Sequence, residues 1–400
     1  MRVWEEKMKK IIKIGLLTSL ASTPVFSGGW EASRLSTSHL YEDGNYAEFS
    51  ILPLSYGVGA SIQYPGAPKH KVLSDQTRTA MAAKINFGKL DIGVSSFMSG
   101  ALLFEGQTNG NLTGCNPAVS ETLPLCSVSP SANVKIGSTT LLARYEIDEN
   151  YSVFGGLNKY SLNDGDNVTT LSGYYEIDAA DKTLPTVGAA YERSDIALRV
   201  ELIYQPEDSV QVTTGSSLSK LIPTTPVSGA SIAFPETTTL NFQSGIAEDT
   251  LLYGAIHQGK WSTAQIIVPA NPNAINPVTG AADAAVSAIG SSFDDKVHYS
   301  IGVGRKLSDE LALSISYGRE DGGGAVTSDP FTFRNGYDTY SLSARYTVSE
   351  NLTVSAGYTY TTAGDVKIVH EAAPGVPSGL TLDYTNNSVS GFGIKIGCTF

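Results

Sequence analysis

The sequence is poor in cysteine, in charged residues and in long apolar runs. Its 400 residues include only three cysteines, too few for a disulfide framework to carry the fold. Beyond the N-terminus, no segment approaches the roughly 20 apolar residues that a transmembrane helix needs. Charged residues make up 16% of the chain and leave a net charge of −12, which argues against binding to nucleic acid. These absences argue against a helical membrane protein and a disulfide-stabilised domain.

The N-terminus has the pattern of an export signal. Lys9, Lys10 and Lys13 precede a short apolar stretch at 14–21, and small residues follow before position 28. We therefore expect residues 1–27 to be a signal peptide. In an oxidising compartment we expect Cys115 and Cys126 to form a disulfide, with two free thiols as the alternative.

A two-residue alternation dominates the rest of the chain. Residues 391–400 place Phe392, Ile394 and Ile396 on one face and Lys395 on the other. Because the chain has an export signal, this alternation favours apolar side chains toward lipid and polar ones toward a lumen. A soluble β-sandwich would alternate in the same way, but tyrosines recur near the strand ends, where the aromatic girdles of a membrane barrel lie.

The connections between strands alternate in length. Short turns are expected at 88–90, 148–150, 192–195, 248–249, 308–310 and 349–351, and long loops at 63–76, 107–130, 163–181, 207–233, 263–293, 320–334 and 369–380. Short turns at one end and long loops at the other are typical of an outer-membrane barrel. The pattern predicts an all-β fold, a transmembrane antiparallel β-barrel of about 14 strands. Within the loop at 263–293, the alanine-rich run 281–289 is compatible with a short helix.

Several segments, taken in order, resemble the FadL-type long-chain fatty-acid transporters: 90–106, 143–157, 188–200 and 240–251. The resemblance implies uptake of hydrophobic compounds by diffusion, a short N-terminal hatch at 28–44 inside a barrel at 45–400, and a lateral opening beside a kinked third strand. The kink would lie at Gly100, where glycine weakens strand pairing; a purely structural glycine is the alternative. Residues 28–44 lack the family's Asn-Pro-Ala hatch motif, so no ligand contact of the hatch is carried over.

Two groups of residues are candidates for ligand binding. Arg144, Arg199, Arg345 and Lys395 fall on predicted lumen faces and would meet a substrate carboxylate, or else form an internal ion-pair network with Glu146, Glu192 and Glu201. Apolar loop residues would form a surface groove for an apolar substrate, or else pack over the barrel mouth. These loop residues are Ile222, Phe234, Ile266 and Ile267.

We expect no catalytic constellation, no metal site and no cofactor. No His lies at metal-ligand spacing from another His or Cys, and the sequence does not group Ser with His or Asp with His. The sequence therefore predicts a monomeric channel, not an enzyme, in the bacterial outer membrane. Its expected partners are a hydrophobic, fatty-acid-like ligand, outer-membrane lipid and, during biogenesis, the periplasmic and outer-membrane assembly machinery, but not nucleic acid. The alternatives are a general diffusion porin and a structural or adhesive barrel.

Overall fold

The computed structural model describes residues 29–62, 70–105, 131–170, 173–218, 222–276, 278–327, 329, 331–332, 334–369 and 381–400. The predicted signal peptide and the Cys115–Cys126 pair lie outside these residues.

Fourteen antiparallel strands close into one barrel, which confirms the predicted fold. Each strand pairs with the next along the chain, and the last pairs with the first from Tyr46↔Thr399 to Gly57↔Ser388. The strands are β1 Tyr46–Gly57, β2 Gln76–Asn86, β3 Leu90–Glu105, β4 Ser131–Glu146, β5 Tyr151–Leu162, β6 Ala180–Arg193, β7 Leu198–Gln205, β8 Thr237–Ala247, β9 Thr250–Gly259, β10 Lys296–Lys306, β11 Leu311–Glu320, β12 Tyr337–Ser349, β13 Leu352–Ala363 and β14 Asn387–Thr399.

The alternation in the sequence becomes the two faces of the barrel wall. In β14, Phe392, Ile394 and Ile396 are exposed on the outer surface, whereas Lys395 is buried inside the lumen. Such an apolar outer face suits lipid, because alternate residues of a barrel strand meet the bilayer. Among the described residues, no helix is long and apolar enough to cross a membrane.

The two ends of the barrel differ as expected. At one end, here called the short-turn end, the strands are joined by turns of a few residues; at the other, the long-loop end, the connections carry short strands of their own. Asp208–Ser217 pairs with Thr225–Phe234, which also pairs with Ile266–Val268. The alanine-rich run is not helical: Ala284–Val286 and Ile289–Gly290 are strands paired with Asn271–Ala274 and Ile266–Val268. Tertiary pairing has overridden the helix propensity of alanine.

Residues 29–44, here called the luminal segment, run through the inside of the barrel. Trp30 is buried near the long-loop end, where its ring contacts Trp261 just after β9. A 3-10 turn at Ser38–Tyr41 buries Leu40, and the Tyr41 hydroxyl donates to Glu201 of β7 at 2.7 Å. The segment therefore passes from the long-loop half of the lumen to the short-turn end, where β1 begins.

Candidate ligand channel

The barrel wall is incompletely paired between β2 and β3. Their register runs from Asn86↔Asp91 only to Ala80↔Phe97, whereas β2 continues to pair with β1 as far as Leu54↔Gln76. Among the described residues, 76–79 of β2 therefore have no partner on β3. We call this break the wall gap.

A β-bulge in β3 coincides with the wall gap. The register between β3 and β4 shifts between Met98 and Gly100. Before the shift Asp91, Gly93 and Ser95 are buried in the lumen, and after it Gly100, Leu102 and Phe104 are buried. One extra residue switches the lumen-facing positions of β3 from odd to even numbers and bends the strand. β3 therefore separates from β2 close to Gly100.

The luminal segment occupies the edge of β3 that β2 leaves. Glu31 and Gly100 form an antiparallel bridge. The Ala32 amide donates to the Ser99 carbonyl at 2.7 Å, and the Ala101 amide donates to the Trp30 carbonyl at 2.9 Å. The luminal segment thus completes the sheet from inside the barrel.

Trp30 seals this contact. A Cβ at position 100 would overlap its indole ring, so only glycine permits the close approach. The indole also packs edge-on against Phe234 at 5.3 Å and Trp261 at 5.1 Å between ring centroids. Trp30 therefore joins the β3 bulge to the loops of the long-loop end.

Two cavities meet at the luminal segment. The first, here called the inner cavity, holds about 590 Å³ of empty space including its opening, and lies beside Trp30, Tyr160, Gln205 and Trp261. The second holds about 710 Å³ and lies at the wall gap. Both are lined by Ser33, Arg34 and Phe97, so the luminal segment and the Phe97 side chain of β3 contribute to the partition between them.

The wall-gap cavity connects lumen and lipid faces. Its lining includes Arg78, which is buried inside, and Met81, which is exposed on the outer surface. The Arg78 guanidinium donates to the Ala32 carbonyl and, at 3.0 Å, to the Tyr56 hydroxyl. Arg78 therefore ties the luminal segment to the gap from the β2 side.

A charged network occupies the short-turn end of the lumen. Arg144 is paired with Asp91 at 3.2 Å, with Glu146 at 2.8 Å and with Glu192 at 2.6 Å. Lys84 is also 3.1 Å from Asp91. Because both cations are buried and both have carboxylate partners, the network satisfies the charges that the lumen encloses.

The luminal segment is fastened to this network. Glu201 accepts hydrogen bonds from Thr37 at 2.8 Å, Tyr41 at 2.7 Å and Asn241 at 2.7 Å. The guanidiniums of Arg144 and Arg199 lie 4.4 and 4.1 Å from the centre of the Tyr41 ring, a cation–π distance. Glu201 and the Tyr41 ring therefore anchor the inner half of the segment.

His39 adds a neutral group to this end. It lies in the 3-10 turn of the luminal segment, outside the strands, and burial lowers its pKa to about 4. An imidazole with this pKa is uncharged at neutral pH, which avoids repulsion by the nearby Lys84 and Lys395.

The same architecture occurs in solved structures. No family model matches the sequence, and no curated protein matches it. The chain is similar to a Pseudomonas aeruginosa FadL homologue, with a TM-score of 0.65 and 10% identity over 91% of this chain and 92% of that one. The fold is that of the FadL-type barrels. The chain is also similar to the P. putida toluene transporter TodX, with a TM-score of 0.59 and 11% identity over 96% of this chain and 94% of that one. Its similarity to the Ralstonia pickettii toluene transporter TbuX has a TM-score of 0.57 and 11% identity over 96% of this chain and 98% of that one.

On this FadL-type barrel, the four predicted basic residues lie together at the short-turn end. Arg345 is 3.8 Å from Glu42 of the luminal segment, and Lys395 is 3.0 Å from Glu48 of β1. Arg199 donates to Gln243 at 3.3 Å. With Arg144, they form the charged surroundings of the luminal segment's inner half; their binding of a ligand carboxylate stays a prediction.

The predicted apolar loop residues separate into two environments. Phe234 and Ile266 are buried in the apolar core at the mouth of the barrel, and Phe234 stacks on Tyr160 at 4.5 Å. Ile267 is exposed and Ile222 is half-buried. The loops therefore pack over the mouth and still present apolar side chains to the outside; ligand binding by the four residues stays a prediction.

Sequence reasoning did not single out Trp30 or Arg78. Trp30 was visible as a lone tryptophan after two glycines in residues 28–44, and Arg78 as a basic residue in a weakly patterned strand. Neither signal shows that both side chains converge on one break in the wall. Among the described residues, no group of His, Cys, Asp and Glu forms a metal site.

Proposed function

We propose that this protein is a monomeric bacterial outer-membrane channel for the passive uptake of hydrophobic compounds, such as long-chain fatty acids or related hydrocarbons. The observation that supports it most directly is the wall gap closed from inside by residues 30–32. Transfer from the aqueous lumen through an opening toward lipid raises the free energy of a polar solute, whereas it lowers the free energy of an apolar solute.

Capture begins at the long loops, which face the cell exterior in this proposal. Ile267 and Ile222 offer apolar surface at the mouth, and Phe234 continues it inward to the ring of Trp30. Each methylene removed from water contributes about 0.8 kcal/mol. Capture is then favourable without any chemical energy source, and transport runs down the concentration gradient.

Release requires the luminal segment to act as a hatch. At the wall gap it is held on β3 by three amide–carbonyl bonds, from Ala32 and Ser33 to the Ser99 carbonyl and from Ala101 to the Trp30 carbonyl. Each hydrogen bond contributes a net of about 1 kcal/mol, so this local pairing is far weaker than that of a full strand. Lifting residues 30–33 from β3 joins the two cavities and opens a path past Phe97 to the lipid face.

A disulfide across the hatch contact tests this route. Ala32 and Ser99 are joined by an amide–carbonyl hydrogen bond next to the Glu31–Gly100 bridge, so a disulfide between these positions would fix the segment on β3. We place Ala32→Cys with Ser99→Cys in a chain whose Cys115, Cys126 and Cys398 are serine. In proteoliposomes the oxidised variant should lose most uptake of radiolabelled oleate and toluene, and reductant should restore it.

The matched control is Ser314→Cys with Ser343→Cys, a facing pair on β11 and β12 whose hydroxyls are 2.7 Å apart. Oxidation of this pair should leave uptake unchanged. Undiminished uptake in the oxidised hatch variant would contradict hatch gating. Rapid swelling of liposomes in small sugars would instead support a general porin, and absence of any oleate or toluene uptake would contradict the function itself.

A further inference from the structure

The inner cavity has two unlike walls. Aromatic rings of Trp30, Phe97 and Trp261 line one part, and the amides of Asn158 and Gln205 line another. Both amides are deeply buried. A cavity for pure hydrocarbon needs no buried amides, because each polar group brought out of water must find a hydrogen-bond partner.

The amide pair keeps a donor for a ligand. Asn158 Nδ2 donates to Gln205 Oε1 at 3.3 Å, and Gln205 Nε2 donates to the Tyr160 hydroxyl at 2.8 Å. Each amide nitrogen carries two hydrogens. Asn158 also hydrogen-bonds the Tyr160 hydroxyl, whereas the described residues give the Gln205 nitrogen one acceptor, so the second N–H of Gln205 is the donor left for a ligand. The acceptor oxygens are already used: Asn158 Oδ1 accepts from Ser138 and Thr140, and Gln205 Oε1 accepts from Asn158 and Thr186.

The charges that line the cavity are balanced. Arg34 and Glu31 are the only charged pair among its lining residues in the described chain, and Arg34 Nε lies 3.1 Å from Glu31 Oε2. His257 lies on the other side of Glu31, at 3.5 Å. A ligand carboxylate would therefore have to displace Glu31 from Arg34 or remain a buried negative charge without a counter-ion, which is costly.

We infer that the inner cavity takes an uncharged amphiphile: a compact apolar or aromatic body that bears one neutral hydrogen-bond acceptor, such as a hydroxyl or carbonyl oxygen. The rings enclose the apolar body, and the spare N–H of Gln205, which Asn158 holds in place through Oε1, binds the acceptor. This assignment rests on the proposed channel function and narrows its substrate class away from ionised fatty acids.

Calorimetric titration of the full chain in lipid nanodiscs tests the assignment, with empty nanodiscs as the reference. The probes are p-cresol, toluene and 4-methylbenzoate at pH 7, which share one ring and differ in their polar group. We expect p-cresol to bind at least tenfold more tightly than 4-methylbenzoate. Gln205→Met should weaken p-cresol binding about five- to tenfold, the worth of about one hydrogen bond, and leave toluene binding unchanged.

The control variant is Gln243→Met. Gln243 is also buried in the lumen, but it contacts Arg199 and the Ala197 carbonyl away from this cavity, so its loss should not affect p-cresol. Asn158→Leu provides a second test if Gln205→Met fails to fold. Equal or tighter binding of 4-methylbenzoate, or p-cresol binding that ignores both substitutions, would overturn the assignment while leaving the channel intact. Failure of all three probes and of oleate to bind would overturn both.

Discussion

The two halves of the lumen hold the same N-terminal segment by different physical means. Toward the long loops, the segment is packed among rings and lies on β3 through three backbone hydrogen bonds near Trp30. Toward the short turns, it is held by Glu201 and by cations over the Tyr41 ring. Packing of rings against a bulged strand can rearrange at small cost, whereas a buried charged network loses several contacts at once.

In the proposed function, this difference allows one segment to serve as both anchor and gate. In this account the inner half stays fixed because several hydrogen bonds and cation–π contacts hold it in an enclosed site, where a broken polar contact is costly. In the proposed function, the outer half leaves β3 when a hydrophobic ligand replaces the apolar contacts that Trp30 gives up. The following predictions break one half and leave the other intact.

Removing the centre of the charged network should have the largest effect on stability. Arg144→Met leaves Glu192 and Glu146 without their cation and removes one of the two cations on Asp91. Breaking a buried pair in this way costs about 3–5 kcal/mol, which should appear as a lower urea midpoint for unfolding. Arg193→Met is the control: its pair with Asp195 is exposed, so the midpoint should barely move. Equal midpoints for both variants would contradict the anchoring role of the network.

Loosening the anchor itself should have a smaller effect, confined to the luminal segment. Glu201→Gln replaces the charged acceptor of Thr37 and Tyr41 by a neutral amide, at a cost of about 1–2 kcal/mol. Hydrogen exchange should become faster at residues 37–41 and remain unchanged at residues 30–33. Glu350→Gln in the last short turn should change neither. Faster exchange along the entire segment would show that the two halves are not independent.

Removing the ring at the gate should raise transport with little loss of stability. Trp30→Ala deletes the contacts to Phe234 and Trp261 and uncovers Gly100. We expect toluene flux into proteoliposomes to rise several-fold, because the closed state loses more contacts than the open one. Phe392→Ala, which removes a lipid-facing ring of β14, is the control. Unchanged or reduced flux in Trp30→Ala would show that Trp30 does not close the path.

The smallest effect is expected at the exposed loop surface. Ile267→Ser should lower toluene uptake less than twofold, since it removes one exposed apolar side chain. Phe234→Leu should lower it more, because Phe234 packs inside the mouth against Trp30 and Tyr160. Uptake that depends more on Ile267 than on Phe234 would place the binding surface outside the barrel.

Much of this barrel could be predicted from sequence, but the contact between the luminal segment and the wall gap could not. Alternation in segments such as 352–361 and 391–400 fixes which side chains face lipid, because the period of a strand is two. Gly100 could be located through the family resemblance. The approach of Trp30 to Gly100 could not be predicted, because it depends on where the luminal segment, which is distant in sequence from Gly100, is held. The helix considered for 281–289 is wrong for a similar reason: pairing with Asn271–Ala274 decides its conformation.

Distance measurements between spin labels test the division of the lumen most directly. In the cysteine-free chain, one label is placed at Ser33 or at Asp43 and a second at Ser349, at the short-turn end of β12. On addition of toluene, the distance from residue 33 should shift to a new population, and the distance from residue 43 should stay unchanged. Movement of both labels together, or of neither, would contradict a segment whose outer half is a gate and whose inner half is an anchor.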